Sequence, residues 1–346
     1  MVAQTAEQLG FDFLPPLEVV VQRHRGQLSS DAGLLPLRQF DQRWRYTDRM
    51  AACLHDPRPG RDQTLISMLR QRLFGILAGY EDCNDHDTLR DDPIFKLIAG
   101  RLPEEGALAS QPTLSRFENL ATPAVLQKLI DFTLSTGIER LKEKHGGSLP
   151  ASITLDLDAT DDPTHGNQQL TLFHGYYGQC QYFPLIISEA ATRPVFVAWL
   201  RPGAVHASLG ADDDLMRVVN ALRKERPDIA IHVRGDAGFG LPRMDELKNG
   251  PHMDRLSGHR FMANFFRLLL HAAAYHLLNA ARDHPELPEL LRAGQPCTWR
   301  THLIKVAAEV VQTTRRVIVR LAAQWPWWPI YYQAAARRAV NFLSTA

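Results

Sequence analysis

The stretch that decides the fold is Ser152-Ile153-Thr154-Leu155-Asp156-Leu157-Asp158-Ala159-Thr160. Its alternating pattern predicts a β-strand with three aliphatic side chains on one face and Asp156 and Asp158 on the other. A second strand is predicted at Ile229 to Arg234 and leads into Asp236, 78 residues after Asp158. Carboxylates at strand ends supply the hard oxygen ligands that Mg²⁺ prefers. The sequence therefore predicts a divalent-metal site supported by two strands.

The elements around these strands predict an α/β fold. β-branched and aromatic residues predict three strands joined as an antiparallel meander, at Ser152 to Asp158, Tyr182 to Ser188 and Pro194 to Leu200. A helix from about Asp212 to Arg226, the strand Ile229 to Arg234 and a long helix from Arg260 to Arg282 follow. The resulting order, β-β-β-α-β-α, resembles that of an RNase H-like domain.

Helices are predicted to dominate the regions on either side of this core. Apolar residues recur at helical spacing from Leu65 to Gly79, and either Asp62 or Thr64 is placed to cap this helix. A second, short helix over Ser110 to Glu118 presents small polar side chains and Arg116. It resembles the reading head of a helix-turn-helix protein, although a capped surface helix explains the same pattern.

Composition indicates an ordinary soluble protein. The chain has 346 residues, of which 45% are hydrophobic and 22% charged, and this length predicts roughly two domains. We divide it into a mainly helical region at 1–148, a core at 149–282 and a helical, basic tail at 283–346. Residues 241–346 hold 14 Lys and Arg against 7 Asp and Glu, an excess compatible with a polyanionic partner.

The cysteines and the apolar segments indicate the compartment. The four cysteines are far apart and form no CxxC pair, so neither a zinc site nor a disulfide framework is predicted. The N-terminus lacks a basic segment followed by an apolar run, and the longest apolar stretch carries Arg267 and His271. We therefore expect a cytoplasmic protein with no membrane partner.

Two explanations of the carboxylates compete with a metal site. Asp156-Leu157-Asp158-Ala159-Thr160 also fits the DxDx[TV] pattern of haloacid-dehalogenase-type phosphatases, in which the first aspartate is a nucleophile. Those enzymes alternate strands and helices, whereas here the motif precedes two predicted strands without a long helix between them. Alternatively, both carboxylates only accept hydrogen bonds from turn amides.

A wider set of motifs resembles the DDE-type insertion-sequence transposases, and among them insertion-sequence family 1380. The resemblance spans nearly the whole chain and rests on the following segments: Tyr80 to Asp87, Arg90 to Pro93, Ser110 to Arg116, Leu155 to Gly166, Tyr176 to Gly178, Arg234 to Phe239, Leu247 to Gly250 and Asp254 to Leu256. It implies a transposase that binds terminal inverted repeats and target DNA, and that cleaves and joins DNA as a homo-oligomer.

The resemblance also implies roles for individual acids. The family core binds two Mg²⁺ or Mn²⁺ ions between three acids, and these ions activate the attacking oxygen and stabilise the leaving one. By position, Asp158 is the first acid and Asp236 the second. Asp156 and His165 are expected to support them, although a role for His165 in structuring its loop fits equally.

DNA contacts are expected from basic side chains. The candidates are Arg116 in the N-terminal region and Lys248, Arg255 and Arg260 near the family's catalytic helix. Each of them is also compatible with a solvated surface charge.

The third acid of the family pattern is missing. In the family a catalytic glutamate precedes the lysine that corresponds to Lys248, and Leu241 stands at that position here. The family also has a long, partly β-rich stretch after its second aspartate, whereas here only twelve positions separate Asp236 from Lys248. We therefore predict an internal deletion near 240–245 that impairs catalysis. Asp245 and Glu246 are the alternatives for a third ligand, and a non-catalytic DNA-binding remnant is the alternative function.

Overall fold

The computed structural model describes residues 26–58, 62–164, 166–207, 209–235, 256–283 and 287–331, and the backbone of 8–14 and 17–22. The helices of these residues are α1 (Leu34–Trp44), α2 (Tyr46–Ala51), α3 (Leu65–Ala78), α4 (His86–Leu89), α5 (Pro93–Ala99), α6 (Gln111–Glu118), α7 (Pro123–Lys144), α8 (Ala211–Glu225), α9 (Phe261–Arg282), α10 (Glu289–Arg292), α11 (Pro296–Trp299) and a π-helix (Arg300–Ile304). The strands are β1 (Gln8–Leu14), β2 (Leu17–Gln22), β3 (Gln27–Ser29), β4 (Ser152–Ala159), β5 (Asp162–Pro163), β6 (Leu172–His174), β7 (Gln179–Tyr182), β8 (Leu185–Glu189), β9 (Val195–Trp199), β10 (Ala230–Gly235), β11 (Ala308–Gln312) and β12 (Val317–Leu321).

A mixed four-stranded sheet with the order β10-β4-β8-β9 carries the predicted acids. β4 pairs antiparallel with β8, and β8 pairs antiparallel with β9, so the predicted meander is confirmed. The chain then crosses over through α8 and returns in β10, which pairs parallel with the other side of β4. A helical crossover is the connection that parallel neighbours require. The mixed α/β fold is therefore confirmed.

Most of the predicted elements form within one to three residues of their expected bounds. The first, third and fourth strands and both long helices agree closely, whereas the strand expected from Tyr182 begins at Leu185 because Tyr182 itself ends β7. Thr64 caps α3, as predicted, because its side chain accepts a hydrogen bond from the Ser67 amide. Ser110 precedes α6 without a side-chain cap, and its hydroxyl lies 3.2 Å from that of Thr113.

Two smaller sheets complete the fold. Between β4 and β8 the chain forms a three-stranded sheet with the order β5-β7-β6, whose β6 and β7 make an antiparallel hairpin. The other sheet joins distant parts of the chain, since β3 pairs with β11, which in turn pairs with β12. β1 and β2 form a separate antiparallel pair.

The expected helical C-terminal region is corrected by this last sheet. In the described part of 283–346, short helices are followed by a hairpin of β11 and β12. The reason is local, because Val310, Val311, Val317, Ile318 and Val319 are β-branched residues that favour strands. The N-terminal region is mainly helical, as expected, but it also contains β1 to β3.

Two hydrophobic clusters hold the described elements together. The larger one joins the N-terminal helices, α9, β11 and residues of β8 and β9, and α9 is its centre because every residue from Ala263 to Arg282 is buried. The smaller one lies between the four-stranded sheet, α7 and α8. Gly137 on α7 permits the close approach of β9, since a Cβ atom there would lie 2.6 Å from the Val195 carbonyl oxygen. The four-stranded sheet therefore packs against α7 and α8.

Candidate active site

Asp158 lies at the buried end of the central strand. It is the next-to-last residue of β4, opposite Ile186 of β8, and only 4% of its surface is exposed. The strand forms here because aliphatic residues of the Ile153 to Leu157 stretch pack against the helices of the smaller cluster. Burial of a carboxylate is unfavourable unless charges or hydrogen bonds compensate it, so this position is typical of a functional acid.

The register of β10 relates the second predicted acid to the first. Arg234 lies beside Asp156, and Gly235 lies beside Leu157, the residue before Asp158. Gly235 is also the residue before Asp236, which itself lies outside the described residues. β4 and β10 therefore run parallel and end on the same side of the sheet. The paired residues Leu157 and Gly235 each directly precede a predicted acid.

Asp156 forms a two-pronged ion pair with Arg234. The Arg234 Nε atom donates to Asp156 Oδ1 at 2.7 Å, and its Nη2 atom donates to Oδ2 at 2.8 Å. Hydrogen bonding to Asp156 and its charge raise the pKa of Arg234. This pair occupies both oxygens of a carboxylate that is 5% exposed, and it ties β4 to β10 just before the acids.

The role of Arg234 was missed by the sequence reasoning, although a signal was present. Asp156 stands two residues before Asp158, and Arg234 stands two residues before Asp236. If the two strands are parallel neighbours and both acids lie at their C-terminal ends, this shared two-residue spacing places Asp156 and Arg234 side by side.

Tyr177 also contributes to the surroundings of Asp158. Burial raises the pKa of its phenol, and the nearby Asp161, Tyr176 and Asp158 raise it further. Asp161 accepts a hydrogen bond of 3.1 Å from Gln179 on β7. The hairpin of β6 and β7 therefore lies next to the acid-bearing end of β4, a neighbour that the motif Tyr176 to Gly178 did not reveal.

The other predicted site residues are dispersed or undescribed. Arg116 is exposed on α6, whose buried side includes Phe117 and Glu118. Arg260 is exposed and directly precedes α9. Like Asp236, the residues His165, Lys248 and Arg255 lie outside the described part of the chain, as do Leu241, Asp245 and Glu246.

The described residues do not by themselves complete a metal site. Among them, no group of three or more His, Cys, Asp or Glu side chains is arranged to hold an ion. Position 241, where the family's third acid is expected, and its alternatives Asp245 and Glu246 lie outside the described residues, and the long helix α9 contains no Asp or Glu. Within the described chain, Asp158 is therefore the one predicted metal ligand that the structure places.

Comparison with known families decides the class of the chain. A family model described as "Transposase DDE domain group 1" matches residues 16–247 and residues 242–340. The chain belongs to this family of DDE transposases. No curated protein and no solved structure matches the chain. DDE transposases act on DNA and generally use divalent metals, so the predicted class of enzyme, its DNA substrate and its metal dependence are supported at the level of the family.

The sheet argues against the phosphatase alternative. Haloacid-dehalogenase-type enzymes build their site on a parallel sheet, whereas β4 of this DDE transposase has an antiparallel neighbour in β8. Their nucleophile would correspond to Asp156, and both of its oxygens are held by Arg234.

Among the described helices, none is long and apolar enough to cross a membrane.

Proposed function

We propose that this chain descends from a transposase of insertion-sequence family 1380 and acts on the terminal inverted repeats of its own element. In this proposal the four-stranded sheet is an RNase H-like core within 149–282, preceded by a DNA-binding and assembly region at 1–148 and followed by the tail at 283–346. The intact ancestor would cleave DNA and transfer strands as a homo-oligomer in the cytoplasm. The observation that carries the proposal is the parallel register of β10 and β4.

The register supports a common position for the two predicted acids. Gly235 and Leu157 are neighbours across the strands, and each directly precedes one of the predicted acids. Because consecutive Cα atoms are about 3.8 Å apart, a strand that continues by one residue would bring Asp236 beside Asp158. The Arg234–Asp156 ion pair, one residue further back, would hold this register and so position both acids.

These residues fit a divalent cation in ligand type but not in number. Asp158 and Asp236 would hold the ion through carboxylate oxygens, the ligands that Mg²⁺ and Mn²⁺ accept. When bound, such ions supply charge stabilisation and an activated oxygen nucleophile for phosphodiester cleavage. The chain's own contribution is the fixed spacing of the strands and the buried position of Asp158.

An internal deletion accounts for the missing ligand. The family match consists of two segments, which meet at 242–247, where the spacing of Asp236 and Lys248 is too short for the family pattern. In addition, β10 pairs only with β4 among the described strands, and its Val233 side chain is 49% exposed. An edge of this kind is expected where a further strand has been lost. We infer that catalysis by this copy is impaired.

DNA binding is expected to persist without a complete metal site. It depends mainly on phosphate contacts by Lys and Arg, for which Arg116, Lys248, Arg255 and Arg260 are proposed. Arg116 and Arg260 are exposed at the described ends of α6 and α9, and α9 belongs to the larger hydrophobic cluster. A transposase remnant that occupies element ends is therefore the form in which this copy would still act.

The test combines binding and cleavage. The purified chain is incubated with DNA from the ends of its element in the presence of Mg²⁺ or Mn²⁺, beside Asp158→Asn and a chain in which the family's missing segment is restored. Asp213→Asn serves as a control because Asp213 is an exposed acid at the start of α8. We expect binding without cleavage by the chain itself, and cleavage by the restored chain that Asp158→Asn abolishes.

Three outcomes would contradict parts of this proposal. Robust cleavage by the unrestored chain that requires Asp158 would show that a third ligand exists and that the deletion does not impair the site. Cleavage that survives Asp158→Asn would reject this acid as a metal ligand. No binding to element ends by either chain would reject the proposed DNA recognition.

A further inference from the structure

An exposed aromatic hairpin lies next to the acid-bearing end of β4. β6 and β7 are joined by a turn in which Gly178 adopts a φ of +67° and its amide donates to the His174 carbonyl at 2.8 Å. Tyr176, in this turn, is 83% exposed, and Phe173 on β6 is 62% exposed. An aromatic side chain as exposed as Tyr176, beside a candidate site, is available for contact with a binding partner.

Aromatic contacts hold the tip in place. Phe183, which is buried, lies 5.1 Å from the His174 ring and 5.9 Å from the Tyr177 ring, measured between ring centroids. Tyr176 in turn contacts Tyr177 edge to face, at 5.0 Å and 85°. The exposed ring is therefore the outer member of a packed series that begins in the protein interior, and its orientation is supported before any ligand binds.

The hairpin is connected electrostatically to the acids. The Gln179 side chain on β7 donates to Asp161 at 3.1 Å, and burial together with the charges of Asp161 and Asp158 raises the pKa of the Tyr177 phenol. The segment Leu172 to Tyr182 contains no Lys or Arg, so the hairpin itself offers no cation for a phosphate. A neutral, flat group is the chemistry that its aromatic surface accepts.

A cationic neighbour lies at the base of the same insertion. The Gln169 amide donates to the His259 carbonyl at 2.9 Å, and the Phe261 amide donates to the Gln169 side chain at 3.1 Å. Arg260, which is exposed, lies between His259 and Phe261 in the sequence. The segment between β5 and β6 thus ties the start of α9, where Arg260 lies, to the part of the chain that carries the hairpin.

We propose that Tyr176 stacks on an unpaired nucleobase of the DNA whose backbone reaches the acids. This inference rests on the proposed function, because it requires DNA at the end of β4. Stacking on an aromatic ring tolerates any base, since every base has a π-face. The acids repel phosphates near the hairpin unless cations are bound, so the base and not the backbone is the part of the DNA that fits here.

The test compares two duplexes that differ only at one end. One is fully paired, and the other has unpaired terminal nucleotides that include 2-aminopurine, whose fluorescence falls on stacking. Binding is measured by anisotropy in the presence of Mg²⁺, so that the charge of the acids is compensated, and the DNA is checked afterwards to confirm that it is intact. We expect the chain to bind the unpaired end about tenfold more tightly than the paired end, in line with one base stacked on one aromatic side chain, and to quench the 2-aminopurine.

Variants assign the effect to one ring. Tyr176→Ala should remove both the preference and the quenching, whereas Tyr176→Phe should retain them because it keeps the ring. Phe173→Ala is the matched control, because strand alternation places Phe173 and the packed His174 on opposite faces of the hairpin. It should leave both readouts unchanged.

The outcomes separate this inference from the proposed function. Equal binding of both duplexes with no response to Tyr176→Ala would overturn the stacking inference and leave DNA recognition intact. Equal losses in Tyr176→Ala and Phe173→Ala would overturn the assignment to Tyr176. Self-association that Tyr176→Ala abolishes, without any effect on DNA, would make the hairpin a contact between copies of the chain. No binding to either duplex would overturn both proposals.

Discussion

Replacing Glu118 with Gln should destabilise the chain strongly, because Glu118 is the shared anion of a buried ion cluster. The Arg72 Nε atom donates to its Oε1 at 2.8 Å, and the Arg267 Nη2 atom donates to its Oε2 at 2.6 Å. Glu118 is 3% exposed, and both arginines are also buried. The cluster joins α6, which carries Arg116, to α3 and α9.

The magnitude follows from the pKa of Glu118. Burial alone would raise this pKa, but the charges and hydrogen bonds of Arg267 and Arg72 outweigh burial and lower it from 4.5 to about 2. At about 1.4 kcal/mol per pKa unit, this difference corresponds to about 3 kcal/mol of folding free energy at neutral pH. Removing one partner of a buried ion pair typically costs about 3–5 kcal/mol, a range that agrees with the value obtained from the pKa of Glu118.

The pH dependence provides the sharper assay. Because the folded-state pKa is depressed, this stabilisation is fully present above pH 4.5 and is lost as the pH falls toward 2. Urea unfolding of the original chain and of Glu118→Gln should therefore differ by about 3 kcal/mol at pH 7 and by about 1 kcal/mol at pH 3. The control is Glu225→Gln, which removes an exposed pair with Lys142 and should change stability by less than about 1 kcal/mol.

A specific result would refute this reasoning. If Glu118→Gln matches the stability of the original chain at pH 7, the two arginines do not depend on this carboxylate. If the difference between the two chains stays constant from pH 7 to pH 3, the loss comes from packing and not from the charge of Glu118.

Two further predictions concern packing and accessibility. Gly137→Ala should lower the free energy of unfolding by more than about 1 kcal/mol, because the added Cβ atom would lie 2.6 Å from the Val195 carbonyl oxygen. The control Gly106→Ala should have little effect, since its Cβ atom would have no neighbour within 4 Å. Urea titration measures both free energies, and equal effects would contradict the close contact. Burial raises the pKa of the Cys83 thiol to about 11, so this thiol should react with a disulfide reagent far more slowly than the exposed Cys180 until the chain is unfolded. Mass spectrometry measures the two reaction rates, and equal rates in the folded protein would contradict the burial of Cys83.

The sequence predicted the central sheet because its information is local. The alternation around Asp158 specifies a strand whichever partners it finds, and the β-branched and aromatic runs after it specify the next two strands. Thr64 was one of two candidate caps, beside Asp62, for the same local reason, and the structure selects it. The three antiparallel strands therefore followed from short patterns, whereas the place of the fourth strand beside the first followed from the family resemblance and its parallel direction is seen only in the structure.

The remaining features depend on contacts between residues that are far apart in sequence. The pairing of β3 with β11 joins residues near 28 to residues near 309, and no local pattern specifies such a partner. Arg267 was read only as a charge within an apolar segment, whereas in the fold it meets Glu118, 149 positions earlier. The Arg234–Asp156 pair lies between these cases, since it becomes predictable only when the strand register is known.

The division of the core explains why binding and catalysis would be lost separately. The larger hydrophobic cluster unites the N-terminal helices, α9 and the C-terminal strands, and it includes no residue of β10. β10 contributes to the smaller cluster through Ile231, at the edge of the sheet. If a deletion follows β10, as proposed, it would remove support from the side of the sheet that carries Asp158, whereas α6 and α9 pack in the larger cluster together with residues of β8 and β9. Under the proposed function, the site for chemistry is therefore the more vulnerable part of the chain, and the proposed DNA contacts Arg116 and Arg260 lie beside helices that keep most of their packing.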